Sequence, residues 1–372
     1  MALALCSVSW AADTGVTCDG TNCDHAAEFN GKHYAHLVDA YAALTRGTAP
    51  AKQDVITLLK NSAGGGIGAD ADKNMNYVID FAGHTYTVGA PAVGSVGTVS
   101  QGLRVMQTST ATFKNGTLKA ADYNQLKQVV HTYGDVTLDN FTVDATEDSY
   151  AQVAVEPDCG TLNIIGNSSI LAREGQTGLY VAFWHTGTYD GTTVNVNTTG
   201  KITGKLVYEF DERKTGAEAA TENKGVLNIG NGNFEIAEIE TIFTESLADE
   251  LKVPKISVSG GTYTVDVSKY IATDKIVQKD GNTYKVVADG AITSGTYTSE
   301  PTVPSGYKAT KNDDGTWTVS KVSYYYYPST SDTTTSTTTK GSPKTFDAGI
   351  ALYVGMALTS VTGLAYTGKK KF

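Results

Sequence analysis

The chain has 372 residues, of which 18% are charged, and its formal net charge is −10 at pH 7. Because carboxylates in excess repel phosphate groups at close range, this balance excludes nucleic acid and anionic lipid surfaces as partners. The abundance of Gly, Thr, Val and Tyr favours strands and turns over long amphipathic helices, so the composition predicts an all-β fold.

The first residues have the pattern of a secretory signal peptide. An apolar run from Ala2 to Trp10 ends in Ser9-Trp10-Ala11, which has small residues at the two positions that signal peptidase reads. Residues 1–12 are therefore predicted to be a signal peptide. Since no Lys or Arg precedes the run, a truncated signal and a buried N-terminal strand are the alternatives.

The cysteines fit an exported chain. Cys18 and Cys23 enclose a short loop and are predicted to form a disulfide in the oxidising environment outside the cell, whereas Cys159 stays a lone thiol. A zinc site built from Cys18, Cys23, His25 and His33 is an alternative, but its spacing matches no standard ligand pattern. No metal site is predicted.

Residues 13–60 are predicted to form an N-terminal cap. In the stretch from His33 to Tyr41 the large apolar residues share one helical face, and the strand-like Asp54–Leu59 follows. A short amphipathic helix of this kind can cover the exposed end of a repetitive fold. The residues of that face are Tyr34, Leu37, Val38 and Tyr41. His33 and His36 are predicted to lie on its polar flank, with metal binding as the alternative.

A strand–turn–strand phrase recurs through residues 61–260, for example at Thr112–Leu118 and Thr137–Val143. Such spacing is typical of solenoids, in which Asn or Gly at each corner supplies the left-handed backbone conformation. The segment is therefore predicted to be a right-handed parallel β-helix, with an all-β sandwich as the alternative. The inward residues Phe81, Phe113, Leu138, Ile164, Ile229 and Val258 are separated by 32, 25, 26, 65 and 29 residues, which leaves room for one more coil near Thr193–Val196.

A second repeat occupies residues 261–322. Gly261-Thr262-Tyr263 recurs as Gly295-Thr296-Tyr297, and Asp280-Gly281 recurs as Asp314-Gly315, both 34 residues later. Because Asp-Gly between strands rich in Thr, Tyr and Val is typical of hairpins, the segment is predicted to form terminal coils with inserted hairpins.

The C-terminal region carries several elements in a fixed order. Residues 323–341 are rich in Tyr, Ser and Thr and are predicted to form an extended stalk, since such a tract has too little apolar surface to fold. Ala348–Tyr366 contains 19 residues without a charge, which predicts a transmembrane helix because about 20 residues span a bilayer core. Lys369–Lys371 would hold its end in the cytoplasm.

Between stalk and helix stands Ser342-Pro343-Lys344-Thr345. Together with the helix and the Lys tail, which complete residues 342–372, this motif resembles the cell-wall sorting signal of Gram-positive bacteria. The resemblance implies that sortase cuts after Thr345 and joins the new carboxyl group to peptidoglycan. The commonest form of the motif has Leu at the position of Ser342 and Gly at that of Phe346, so the sortase class stays open. A membrane-anchored surface protein that sortase does not process is the alternative.

The body is also similar to a group of cell-surface proteins of gut Firmicutes. The resemblance rests on the order of Asp80–Val88, Thr112–Thr117, Leu138–Thr142, the Gly-Gly-Thr-Tyr units and Pro343-Lys344-Thr345. It implies a pectin-lyase-like parallel β-helix displayed on the cell wall, adhesin-like and non-catalytic, without a cofactor. The ligand would be a glycan or a host protein.

Two hypotheses about a site stay open. Tyr180, Phe183, Trp184 and His185 are predicted to form an aromatic platform for a sugar, with packing in the core as the alternative. A polysaccharide lyase or glycoside hydrolase is the alternative function, since carboxylates are frequent between 139 and 158. No catalytic residue is predicted, because these acids are not expected to converge: Asp139, Asp144, Glu147, Asp148, Glu156 and Asp158.

Overall fold

A computed structural model of the chain describes residues 24–46, 53–95, 97–186, 189, 191–212 and 219–323. Within them the fold is all-β, as the composition predicts, with one short α-helix and two 3₁₀ turns. Among these residues no helix is both long and apolar enough to cross a bilayer. The predicted signal peptide, the Cys18–Cys23 disulfide, the stalk, the sorting motif and the transmembrane helix lie outside the described residues.

The chain begins with a small hairpin and a helix: β1 (Ala27–Phe29), β2 (Lys32–Tyr34) and α1 (Leu37–Ala42). Strands that pair mainly in parallel follow: β3 (Asp54–Leu58), β4 (Ser62–Gly64), β5 (Asn76–Asp80), β6 (Thr85–Val88), β7 (Gln101–Val105), β8 (Thr110–Ala120), β9 (Gln128–Thr132), β10 (Asp135–Ala145), β11 (Val153–Pro157), β12 (Gly160–Gly166), β13 (Ser169–Ala172), β14 (Thr177–Trp184), β15 (Thr192–Asp211), β16 (Gly225–Phe243), β17 (Ile256–Val258) and β18 (Thr262–Tyr263). The last strands are β19 (Lys275–Asp280), β20 (Thr283–Ala288), β21 (Gly295–Tyr297), β22 (Tyr307–Lys311) and β23 (Trp317–Lys321).

The parallel strands form three ladders. The first contains β3, β5, β12 and β17 with the N-terminal parts of the long strands β8, β10, β15 and β16. The second contains β4, β6, β13 and β18 with later parts of the same long strands. The third contains β7, β9, β11 and β14 with the C-terminal parts of β15 and β16. From β8 to β16 the chain visits the three ladders in turn and then returns to the first, and each such circuit is called a coil below.

The first ladder carries a continuous stack of apolar side chains, each at most 1% exposed. Its register pairs neighbours directly, so that Phe113 lies beside Leu138 and Leu138 beside Ile164. Side chains alternate between the two faces of a strand, and the buried face is therefore set by this register. The predicted order of inward residues is confirmed from Phe113 onward, and Val196 fills the expected additional coil. The complete stack is Ile56, Ile79, Phe113, Leu138, Ile164, Val196, Ile229 and Val258.

The predicted register of Phe81 is wrong by two residues, because Ile79 is the residue that pairs with Phe113. The corner after β5 contains four residues, whereas the corresponding corner in β8 contains two, and Phe81 lies in the longer one. Its side chain is still fully buried, with its ring centroid 4.6 Å from that of Phe141. A Cβ on Gly116 would lie 2.3 Å from the Cβ of Phe81, so only glycine fits at this corner.

The corners confirm the predicted use of asparagine. Asn115 and Asn140 have φ values of 57° and 50°, in the left-handed region that asparagine tolerates better than most residues. Each bends a long strand where the chain passes from the first ladder to the second. The recurring phrase in the sequence therefore marks a real turn.

The N-terminal region differs from its predicted boundaries. The helix begins at Leu37, and Tyr34 belongs to strand β2. Leu37 and Tyr41 are buried as predicted, and the Tyr41 ring packs edge-on against Tyr77 at 5.6 Å. The parallel ladders already begin at β3, inside the range predicted to be the cap.

The C-terminal repeat is not made of coils. After β18, which still pairs in parallel with β16, the strands of this region pair antiparallel, which contradicts the predicted terminal coils but retains their hairpins. One hairpin turns between Asp280 and Thr283, and the other between Lys311 and Trp317. Alternation of apolar and polar residues predicts strands correctly here, but it does not specify the direction of the partner strand.

Candidate functional site

The outer side of the third ladder carries a group of ionisable side chains. Arg104 on β7, His131 on β9 and Glu156 on β11 are neighbours in register. They alternate along their strands with Leu103, Val130 and Val155, which pack in the core. Because successive side chains point to opposite faces, the ionisable groups of three coils meet on the outer face.

These groups are buried although they lie outside the apolar core. Arg104 and His131 are each 3% exposed, Glu156 is 6% exposed, and Asp158, just after β11, is 0% exposed. Aromatic rings cover them: Tyr133 packs at 4.7 Å from His131 and stacks on Tyr189 at 5.0 Å. We call the whole set the acid–aromatic cluster: Arg104, His131, Tyr133, Glu156, Asp158, Tyr180, Trp184, Tyr189 and Glu209.

Hydrogen bonds hold the centre of the cluster in place. The amide nitrogen of Gln101 contacts Nδ1 of His131, and Nε2 of His131 contacts Oδ2 of Asp158, both at 2.5 Å. If the amide donates to Nδ1, the ring proton lies on Nε2 and is donated to Asp158. Oε2 of Glu156 and Oε1 of Gln101 are buried without a hydrogen-bond partner. Such an atom is costly, because it has lost its water without a replacement.

Burial dominates the acid–base properties of the cluster. It lowers the pKa of His131 to about 4, an effect that the positive charge of Arg104 reinforces and Glu156 opposes. Burial also raises the pKa of Glu156 to about 7, and the negative charge of Asp158 contributes in the same direction. A medium of low polarity disfavours whichever form of a group is charged. His131 is therefore neutral at neutral pH.

The predicted sugar platform is divided by the fold. Tyr180 and Trp184 are half-buried members of the cluster; the Trp184 Nε1 donates to Glu209 at 3.1 Å, and the Tyr180 hydroxyl also bonds to Glu209. Phe183 points to the opposite side of β14, is 1% exposed and stacks on Phe210 at 4.8 Å. It belongs to the core and not to a platform, as alternation along a strand requires. His185 is half-buried beyond the end of β14.

The carboxylates that are frequent in the sequence separate into two groups. Asp144 and Glu147 lie at the loop after β10, where Asp144 accepts bonds from Thr146 and Glu147 pairs with Lys119, as the sequence predicts for solvated acids. Asp148 is buried there and accepts a backbone bond from Tyr150. Glu156 and Asp158 instead join the cluster.

Sequence reasoning missed the partners of Glu156 and Asp158. His131 lies 25 residues before Glu156, which is the spacing of the apolar pair Phe113 and Leu138. A search for ionisable residues at the coil spacing, in addition to apolar residues, would have found this pair. Arg104 lies one coil earlier, 27 residues before His131, and pairs with it in register.

The comparisons with known proteins give no further guide. No protein-family model matches the chain, and no similar protein is found among the curated proteins or the solved structures. The acid–aromatic cluster and the sequence motifs are therefore the basis for a functional assignment.

Proposed function

We propose that the chain is a non-catalytic protein of the bacterial cell surface that binds a glycan at the acid–aromatic cluster. The observation that carries the proposal is the pairing of half-buried Tyr180 and Trp184 with the carboxylate of Glu209. Aromatic rings with polar edges offer an apolar surface to the C–H faces of a sugar, while neighbouring carboxylates accept bonds from its hydroxyls. A host protein is the other ligand class that such a surface suits.

The glycan proposal predicts a defined effect of Trp184→Ala. On an array of neutral and acidic glycans, we expect wild-type protein to bind a subset and the variant to bind that subset about tenfold more weakly, equivalent to about 1.4 kcal/mol. Trp317→Ala, which removes another half-buried Trp from β23, is the matched control and should bind like wild type. Equal binding by wild type and Trp184→Ala, or no binding by either, would exclude the cluster as a glycan site.

We further infer that the three ladders are the faces of a right-handed parallel β-helix. Direct pairing of equivalent residues from one coil to the next and the positive φ of Asn115 and Asn140 support this architecture. In such a body every coil repeats the same faces, so a row of side chains one coil apart forms a continuous binding surface. The acid–aromatic cluster spans five neighbouring strands of this kind, from β7 to β15.

Export and attachment to the cell wall complete the proposed function. Support comes from the order of the elements in the sequence: the apolar start at 1–12, the stalk at 323–341, the motif Ser342–Thr345 and the uncharged Ala348–Tyr366. Sortase and peptidoglycan are the implied partners, and the cell wall is the implied location. A membrane-held surface protein is the alternative, and cell fractionation distinguishes the two.

The exported state also predicts a disulfide between Cys18 and Cys23. Intact mature protein should have a mass two hydrogens below that of the dithiol form, because the short loop closes readily in an oxidising environment. Alkylation under denaturing conditions should modify one thiol, Cys159, and the Cys159→Ser variant should take up no label. Three alkylated positions on wild-type protein would contradict both the disulfide and the argument for export.

A glycoside hydrolase is the second candidate, because one observation favours it over the other enzyme classes. Carboxylate oxygens of Glu156 and Asp158 lie within 4.8 Å of each other, and retaining glycosidases hold their two carboxyl groups about 5–5.5 Å apart. Release of reducing ends from a glycan that binds on the array, abolished in Asp158→Asn, would establish this function. Binding without such release supports the non-catalytic protein.

A further inference from the structure

Three potential metal ligands converge at the centre of the acid–aromatic cluster. His131, Glu156 and Asp158 each offer one ligand atom, and these atoms all lie within 4.8 Å of one another. The three come from two neighbouring coils, since His131 is on β9 and the acids are on or just after β11. All three side chains are at least nine-tenths buried.

Two polar atoms at this triad are buried without a hydrogen-bond partner among the described residues. Arg104 is the buried cation beside it, and its guanidinium is 2.6 Å from Asp70 and also donates to Ser95 at 2.9 Å. Oε2 of Glu156 is buried without a hydrogen-bond partner, and so is Oε1 of Gln101, the residue that contacts His131 from the other side. Such atoms mark a place where a partner is missing.

We propose that His131, Glu156 and Asp158 bind a divalent transition-metal ion, for which Zn²⁺ is the best chemical match. Zinc accepts imidazole nitrogen and carboxylate oxygen together, whereas Ca²⁺ and Mg²⁺ prefer oxygen ligands alone. Two carboxylates and one neutral imidazole supply the negative charge that a divalent ion needs in a buried place. The inference goes beyond glycan binding and does not depend on it.

Only small movements would bring the ligands to zinc geometry. Bonds of about 2.0–2.2 Å in a tetrahedral site place ligand atoms about 3.3–3.6 Å apart, so the triad would contract by about 1 Å and the His131–Asp158 contact would open. Rotation of the Gln101 amide would bring its Oε1 to Nδ1 of His131, which would satisfy that oxygen and leave Nε2 available for the ion. A histidine that binds a metal through one ring nitrogen usually donates the N–H of its other ring nitrogen in this way.

The ligand count has a chemical consequence. Three protein ligands leave at least one position of a four-coordinate zinc ion for water or for a ligand oxygen, whereas structural zinc sites are closed by four protein ligands. The ring centroid of half-buried Trp184 lies 6.3 Å from that of His131, and half-buried Tyr180 lies close enough to Glu156 and Asp158 for their charges to raise its pKa. A sugar hydroxyl held by these rings would therefore be able to reach the ion.

The test uses full-length, untagged protein that has been treated with EDTA and dialysed. Zn²⁺ alone is the probe, with binding followed by calorimetry, metal content measured after gel filtration, and melting followed with and without EDTA. Glu156→Gln removes one ligand but keeps the side-chain volume. Glu147→Gln is the matched control, since it makes the same change in charge at an exposed acid outside the cluster.

We expect wild type and Glu147→Gln to bind about one Zn²⁺ per chain and to melt at a higher temperature with zinc than with EDTA. Loss of an outer-shell partner lowers metal affinity roughly 10–100-fold. The zinc affinity of Glu156→Gln, which loses a direct ligand, should fall by more than that. It should stay folded in EDTA, because it removes a buried carboxylate that has no partner for one oxygen. Absence of zinc from wild type, or unchanged zinc affinity in Glu156→Gln, would overturn the proposal.

Discussion

Leu138→Asp is expected to unfold the body of the protein, at a cost of several kcal/mol in the free energy of unfolding. The Leu138 side chain is 0% exposed and lies in register between Phe113 and Ile164. Removal of a buried leucine side chain alone costs about 2–5 kcal/mol, and a carboxylate enclosed by apolar neighbours adds the cost of its lost hydration. The sum is comparable to the whole stability of a typical domain, about 5–15 kcal/mol.

Circular dichroism during heating and during urea titration provides the measurement. Thr137→Asp is the matched control, because it places the same carboxylate on the adjacent, half-buried outward position of β10. This control should melt cooperatively with a free energy of unfolding within about 1 kcal/mol of wild type. If Leu138→Asp melts cooperatively at the wild-type temperature, Leu138 does not lie in the core and the register of the first ladder is wrong.

Thr345→Ala is expected to move the protein from the cell wall to the membrane fraction. If sortase acts on Ser342–Thr345, it transfers the carbonyl of Thr345 to peptidoglycan and the uncharged Ala348–Tyr366 is discarded. Pro343 restricts the backbone to an extended approach, and Lys369–Lys371 hold the uncleaved segment at the membrane. Without Thr345 the chain keeps its apolar segment, which detergent dissolves.

Fractionation of cells followed by mass spectrometry distinguishes the two states. Wild-type protein should be released only by muramidase, with a C-terminal peptide that ends at Thr345 and carries a wall fragment. Thr345→Ala should dissolve in detergent and retain Phe372. Thr339→Ala, which alters the stalk only, should behave like wild type. Wild-type protein that dissolves in detergent alone with Phe372 present would establish the plain membrane anchor.

The apolar stack of the first ladder was predictable because two independent signals agree there. Phe113 and Leu138 each alternate with polar neighbours, and nearly the same spacing leads on to Ile164, so the buried face and the register can both be inferred. The register of Phe81 was predicted wrongly because the spacing between coils depends on the length of each corner. The corner after β5 has two residues more than the corner in β8, and no sequence pattern marks the additional residues. The direction of the C-terminal strands was not predictable, since parallel and antiparallel partners impose the same alternation.

The acid–aromatic cluster shows a different limit of sequence reasoning. Glu156 and Asp158 attract attention as acids, but their meaning depends on His131 and Arg104, which reach them only through the pairing of separate coils. Solvated acids and buried acids have the same letters, and burial here is produced by Tyr133, Trp184 and Tyr189. Only the fold of the third ladder brings these rings over the carboxylates.

Reversal of strand direction covers the N-terminal end of the first ladder and the C-terminal end of the second. A parallel ladder has no fixed number of strands. The outer edge of its last strand offers unpaired N–H and C=O groups, with which a strand of another molecule can pair and so start a fibre. Here β1 runs antiparallel to the first rung, β3, and β20 runs antiparallel to β18 at the other end. β1 and β20 therefore both run opposite to the direction that would continue the parallel pairing of the ladder. At these two ends another copy therefore could not extend the ladder in the parallel direction.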